Sequence, residues 1–278
     1  MLSELLQALV LGITEGFTEW LPISSEGHLL LVGDLLGVDR TTELYALMLA
    51  LFRVGAALAV ISLYTGRLVP FFFRTGPAKR RAAGRLWFKL LLAALPCALV
   101  SLLFGRHLAA LVSPWLTGVM VILAGFLLLL ADRRIRPSHL RIDRISGITP
   151  RTAFLIGCAQ TLAFLPGTSR TTCIILAAML LGCTVRTAAE FALFLGIPVI
   201  FGGAIRQIVL FVRHGEGFGP VPFLGILLGT AAAYFAASYS IRFLMSYLKR
   251  NDLTFFALYR ITLGIVILSY FTISALMA

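Results

Sequence analysis

The stretch Glu15-Gly16-Phe17-Thr18-Glu19-Trp20-Leu21-Pro22-Ile23-Ser24-Ser25-Glu26-Gly27-His28 interrupts an apolar run that extends from about residue 4 to residue 36. A second apolar run, about 152–183, is broken in the same way between Gln160 and Thr172, and its centre reads Pro166-Gly167-Thr168-Ser169-Arg170-Thr171-Thr172. A hydrocarbon layer of ~30 Å needs roughly 20 consecutive apolar residues for one crossing helix. A run with proline, carboxylates and hydroxyls at its midpoint does not read as a simple crossing. Irregular backbone at membrane depth survives only inside protein or along a wet cavity. Each broken run therefore reads as a re-entrant helix–loop–helix hairpin.

Six further runs, about 42–64, 88–105, 114–131, 188–212, 220–241 and 253–275, have the length and apolarity of transmembrane helices. The composition agrees: 59% of the 278 residues are hydrophobic and 13% charged, too few charges to cover a soluble domain. The expected fold is an all-α polytopic membrane protein of six transmembrane helices plus two re-entrant hairpins. The formal net charge of +12 comes from basic loops between the apolar runs, so it reads as membrane topology rather than nucleic-acid binding. The 65–89 segment carries Arg67, Arg74, Lys79, Arg80, Arg81, Arg85 and Lys89, and the 132–151 segment Arg133, Arg134, Arg136, Arg141, Arg144 and Arg151. With Arg242, Lys249 and Arg250 they mark the cytoplasmic side. Counting crossings puts both termini outside, with the first hairpin entering from the outer face and the second from the cytoplasm. Cys97, Cys158, Cys173 and Cys183 show no metal or disulfide spacing, and the N-terminus, carrying Glu4, does not read as a cleavable signal peptide.

The two hairpins resemble each other. Leu21-Pro22-Ile23-Ser24-Ser25 aligns with Leu165-Pro166-Gly167-Thr168-Ser169, Gly12 to Glu15 with Gly157 to Gln160, and Leu35-Leu36-Gly37 with Leu180-Leu181-Gly182. Three long runs follow each. The expected organisation is one membrane domain, 1–278: repeat one about 1–131, a cytoplasmic loop 132–151 and an inverted repeat two about 152–278. Inverted repeats place their working site at the repeat interface near mid-membrane.

The chemistry lies in the two breaks. Glu15 and Glu19, four residues apart, share a helix face and repel each other. At membrane depth they need a divalent cation, an arginine or a proton as compensation, unless they are solvated at the outer interface. Arg170 is isolated among apolar residues. Its planar fork suits a phosphate, and a salt bridge to Glu15 or Glu19 is the structural alternative. Gly167 permits close approach of backbone amides to an anion, and Thr168, Ser169, Thr171 and Thr172 add hydroxyls before a helix N-terminus. Ser24, Ser25 and His28 supply a hydroxyl or imidazole for attack or proton transfer. Arginine, carboxylates and a nucleophile in one pocket form an inventory for phosphoryl transfer. A lipid-phosphate transporter or flippase would need the arginine without the nucleophile.

At this point the chain resembles the undecaprenyl-diphosphatase family of the bacitracin-resistance type. The likeness rests on Glu15 through Ser25, Gly27-His28-Leu29, Ala159-Gln160, Pro166-Gly167-Thr168-Ser169-Arg170, Ala188-Ala189, Phe191, Ile197-Pro198, Tyr259-Arg260-Ile261 and Leu263-Gly264, and it covers essentially the whole chain. The resemblance implies a bacterial inner-membrane enzyme that removes the terminal phosphate of undecaprenyl diphosphate, recycling the cell-wall lipid carrier. It implies that Glu15 and Glu19 serve a divalent cation (Mg²⁺ or Ca²⁺) or a proton relay. Ser25 or His28 is then the nucleophile, and Arg170 grips the diphosphate. Membrane lipid is the surrounding partner, and the sequence leaves the oligomeric state open, a homodimer included.

Four places depart from the family pattern. Glu26 stands where a threonine is usual, Arg53 where a glutamine is usual, Leu49 where a glutamate is usual, and Thr171-Thr172-Cys173-Ile174 where Ser-Gly-x-Thr is usual. Glu26 places a negative charge where an anion should bind, and Arg53 would offset it by pairing with it or by touching phosphate. Such changes mark a divergent branch, with either the same reaction or another lipid phosphate as substrate.

Overall fold

The computed structural model describes residues 2–70, 76–135, 139–214, 217 and 219–277, so Arg74 and Arg136 of the basic segments lie outside the described residues. Eleven α-helices account for nearly all of it: α1 Leu2–Thr18, α2 Ser25–Leu35, α3 Glu43–Leu63, α4 Thr65–Leu68, α5 Pro77–Ala109, α6 Pro114–Arg134, α7 Pro150–Gln160, α8 Arg170–Leu180, α9 Val185–Arg213, α10 Pro220–Tyr247 and α11 Thr254–Met277. The starts follow local chemistry. Thr42, Ser113, Thr149 and Thr184 each accept a backbone N–H at the head of α3, α6, α7 and α9, and α6 and α7 have proline at their first position.

Six of these helices, α3, α5, α6, α9, α10 and α11, are long and apolar enough to cross a membrane. They coincide with the six runs read from the sequence, and their outward faces carry leucine and phenylalanine such as Leu99, Leu102, Phe126 and Phe235. Such a continuous apolar exterior belongs in lipid. The chain is a multi-pass membrane protein. One expectation is corrected. The basic segment after residue 77 is not a loop: α5 begins at Pro77 and carries Lys79, Arg80, Arg81, Arg85 and Lys89 on its first turns. Proline at the first position and a run rich in alanine, lysine and arginine favour helix there.

Both broken runs are short helix pairs, α1–α2 and α7–α8, with α7 prolonged by a 3₁₀ turn over Thr161–Phe164. The short pairs lie among the long helices. Packing crosses between chain halves: α1 lies on α10, α5 on α7, α3 on α9 and α10, and α6 on α11. The α1–α10 contact is close enough that a Cβ on Gly16 would lie 2.2 Å from the Ala233 carbonyl oxygen. No larger residue fits while the helices keep this separation. The main core gathers Trp20, Leu21 and Ile23 of the first break together with Phe191, Phe194 and Phe256. Trp20 is fully buried, with its indole N–H donated to the Ala56 carbonyl at 3.1 Å. It is a core side chain.

Candidate active site

Each break turns on a serine with an unusual backbone. Ser24 has φ 74° and Ser169 φ 68°, the positive-φ residues other than glycine among those described. Such a conformation costs on the order of 1–3 kcal/mol in a non-glycine residue and clusters at functional sites. Both serines also cap the following helix: Ser24 Oγ accepts from Gly27 N–H at 3.3 Å, and Ser169 Oγ from Thr172 N–H at 3.5 Å. The caps hold the strained turns and set Ser25 and Arg170 at the first positions of α2 and α8.

The two turns meet, and Glu19 is the junction. Its Oε1 takes a charge-assisted hydrogen bond from Arg170 Nη2, and its Oε2 accepts from Ser25 Oγ at 3.1 Å. Its main-chain carbonyl accepts from Thr171 Oγ1 at 3.1 Å. The Arg170 guanidinium also lies over the Trp20 ring, 5.7 Å from its centre. The salt bridge foreseen as the alternative for Arg170 is thus present, and its partner is Glu19 rather than Glu15.

Glu15, one helical turn away, is fully buried. Its Oε1 accepts from Arg53 Nε at 2.9 Å, while its Oε2 has no hydrogen-bond partner among the described residues. Arg53 therefore offsets Glu15, and the pairing with Glu26 entertained from the sequence is not made. Glu26 instead reaches across to the second turn, where its Oε2 accepts from Gly167 N–H at 2.9 Å.

His28 is held at both ring nitrogens. Nδ1 lies 2.7 Å from the Ser24 carbonyl, which can only accept, so Nδ1 carries the proton. Nε2, left with its lone pair, accepts from the Tyr259 hydroxyl at 2.7 Å. Ser25 donates to Glu19, so among the described residues the group poised to take its proton is a carboxylate, not the imidazole.

The second turn is organised from behind by Arg260. Its side chain is 0% exposed, and it donates to the carbonyls of Gly167 (2.7 Å), Thr168 (3.2 Å) and Val121 (3.4 Å) and to Thr172 Oγ1 (3.1 Å). No carboxylate pairs with it among the described residues. An arginine that snorkels to the membrane interface would not be enclosed in this way. Arg260 fixes the carbonyls of Gly167 and Thr168, while the Gly167 N–H points to Glu26. Gly167 itself has φ +88°, and a Cβ there would lie 2.4 Å from the Thr117 carbonyl oxygen. Thr168 spends its O–H on the carbonyls of Leu162 and Leu165, and Thr171 spends its own on Glu19, so both hydroxyls build the turn. We expect Arg260→Met, which keeps the bulk but not the donors, to leave buried acceptors unmet at about 1–3 kcal/mol each. Thermal unfolding in detergent should fall by several degrees. An unchanged midpoint would show that the turn stands without Arg260.

The sequence-read residues thus divide in two. Glu15, Glu19, Ser24, Gly167, Thr168, Thr171 and Thr172 are buried, whereas Ser25, Glu26, His28, Arg53, Ser169 and Arg170 remain partly accessible. The accessible set holds the nucleophile candidates and two guanidinium groups, which are the groups an anionic ligand must touch. Tyr259 was missed as a functional contact because nothing in its own neighbourhood of the sequence ties it to His28, 231 residues away.

A divalent cation fits part of this donor set. The orphaned Glu15 Oε2 and the neighbouring Glu19 are hard oxygen donors, and Mg²⁺ is commonly held by one or two carboxylates together with phosphate oxygens. Among the described residues no group of three His, Cys, Asp or Glu side chains could form a cage without such outside oxygens.

A family model described as bacitracin resistance protein BacA matches residues 8–266. A relative described as undecaprenyl-diphosphatase from Enterococcus faecalis is 36% identical over 275 residues, covering 99% of this chain and 100% of its own. Those of the same description from Desulfitobacterium hafniense and Acetivibrio thermocellus are 37% identical over 273 residues (98% and 97% of the two chains) and 36% over 269 (96% and 98%). The likeness runs through both broken helix pairs and all six crossing helices, and on that footing the chain belongs to the bacitracin resistance protein BacA family.

Proposed function

We propose that the chain is an integral-membrane phosphatase that hydrolyses undecaprenyl diphosphate to the monophosphate and inorganic phosphate. The setting is a bacterial inner membrane, with the two helix pairs as re-entrant hairpins of an inverted repeat. The matched strained serines at 24 and 169, and the left-handed glycines at 37 and 182 that end the two short helices, support that repeat. The observation that carries the reaction is the double engagement of Glu19. It binds the guanidinium suited to a diphosphate and the hydroxyl suited to attack it. The relatives' printed descriptions supply the substrate.

In this reading the polyprenyl tail lies among the helices and the diphosphate reaches the two turns. Arg170 and Arg53 neutralise phosphate oxygens. Ser25 Oγ attacks the terminal phosphorus, and Glu19 Oε2 takes the Ser25 proton. The bond to the bridging oxygen breaks, and the lipid monophosphate leaves with the electron pair. The lipid monophosphate carries off the proton that Glu19 took, which returns Glu19 to the carboxylate. Water then attacks the phosphoserine, Glu19 accepts a water proton and passes it to Ser25 Oγ as the phosphorus–serine bond breaks, and inorganic phosphate departs with Ser25 restored. Glu15 and Glu19 would hold a divalent cation, which adds charge neutralisation at the diphosphate when bound. Attack by His28 Nε2 is the rival step and requires the imidazole to release Tyr259.

The test is phosphate release from purified protein in detergent across lipid diphosphates of several chain lengths, with and without chelator. Release, greatest for the C55 lipid, is expected. Tight lipid binding with no release for any of them points instead to a lipid-phosphate carrier.

A further inference from the structure

Glu26 occupies a position that an anionic substrate should want. Its carboxylate accepts from Gly167 N–H at 2.9 Å, and the turn that carries this amide is braced by Arg260, which donates to the Gly167 and Thr168 carbonyls. A carboxylate oxygen on a backbone amide mimics a phosphate oxygen in charge, size and acceptor geometry. The contact is not needed to hold the turns together. Arg170 bridges them to Glu19, and Thr171 donates to the Glu19 carbonyl. Glu26 is partly accessible, so its side chain has somewhere to go.

We propose that Glu26 is a built-in competitor for the diphosphate: it fills the Gly167 amide seat when substrate is absent and must swing aside when substrate binds. This rests on the reading of the site as a diphosphate site. The seat is open only in the fraction of molecules in which Glu26 has left it, and apparent affinity falls by that fraction. The device selects for ligands whose remaining contacts outweigh the displacement. A lipid diphosphate gripped by Arg170 and anchored by its tail meets that requirement better than a small free phosphate does.

The experiment measures binding of inorganic diphosphate to the purified full chain at fixed Mg²⁺, alongside phosphate release from a lipid diphosphate, for the parent, Glu26→Gln and Glu26→Ala. Glu26→Gln keeps the shape and the acceptor but not the charge, and it guards against a folding defect in the alanine variant. Thermal unfolding checks both. We expect the affinity for inorganic diphosphate to rise about tenfold in Glu26→Ala and a few-fold in Glu26→Gln, with KM for the lipid falling in the same order. Unchanged or weakened diphosphate binding in both folded variants overturns the proposal, because Glu26 would then be a tie or a productive contact. Tightened binding with no phosphate release from any lipid diphosphate, in parent or variants, supports the competitor and removes the hydrolase reading.

Discussion

Ser25→Ala should lower phosphate release by at least about 10³-fold while leaving lipid diphosphate binding within a few-fold of the parent. Ser25 opens α2 immediately after the strained Ser24, so its backbone position is fixed by a turn that the substitution does not touch. Its hydroxyl donates to Glu19 Oε2 at 3.1 Å, the one hydrogen bond lost. Glu19 stays anchored through Arg170 and through Thr171 on its carbonyl. The net cost to stability of one such bond is about 1 kcal/mol. The variant should therefore fold, bind and fail at the chemical step. Initial rates and equilibrium binding of the same lipid separate those outcomes. If Ser25→Ala retained a tenth or more of the rate and acid-labile phosphate were trapped on the protein, His28 would be the nucleophile.

Much of this arrangement was legible in the sequence because the polar residues stand out against apolar runs. The break at Glu15–His28, the break at Gln160–Thr172 and the six crossing helices are visible as interruptions and lengths. The pairing across the two breaks was foreseen as a need, since a lone guanidinium and two carboxylates inside lipid must find each other. Which carboxylate meets which arginine was not readable. Glu15 and Glu19 lie on the same helix face, and only the packing of α3 beside α1 gives Arg53 to Glu15 and leaves Glu19 to Arg170. Arg260 was ambiguous for a similar reason. An arginine near the end of an apolar run snorkels or is buried according to what packs on it, and here α6 and the second turn enclose it. The helical basic segment of α5 was misread as a loop because charge density dominates over propensity when topology is inferred from loops. The bond from Glu26 to Gly167 joins residues 141 apart, and nothing local encodes it.

Arg170→Ala should be the most damaging substitution in the chain, and its second-site behaviour divides structure from chemistry. In the folded protein the guanidinium is shielded on one side by Trp20 and bound to a Glu19 carboxylate that is 8% exposed. Removing it strands that carboxylate, which costs about 3–5 kcal/mol for a buried pair broken on one side. It also removes the cation set against the diphosphate, worth at least 10²–10³ in rate by analogy with other donors to developing charge, on an order-of-magnitude basis. A purely structural salt bridge predicts that the double variant Arg170→Ala with Glu19→Gln regains both stability and activity, because the stranded charge is gone. A phosphate-gripping arginine with Glu19 as its base predicts a split result. The unfolding midpoint should recover much of its loss, since a neutral amide tolerates burial beside the Ser25 hydroxyl, while release stays below about a thousandth of the parent. Thermal unfolding and phosphate release, measured on parent, both singles and the double, complete the cycle. Activity returning together with stability would mean that the bridge only fastens the two turns, and that the group gripping the diphosphate must be sought in Arg53, which pairs with Glu15.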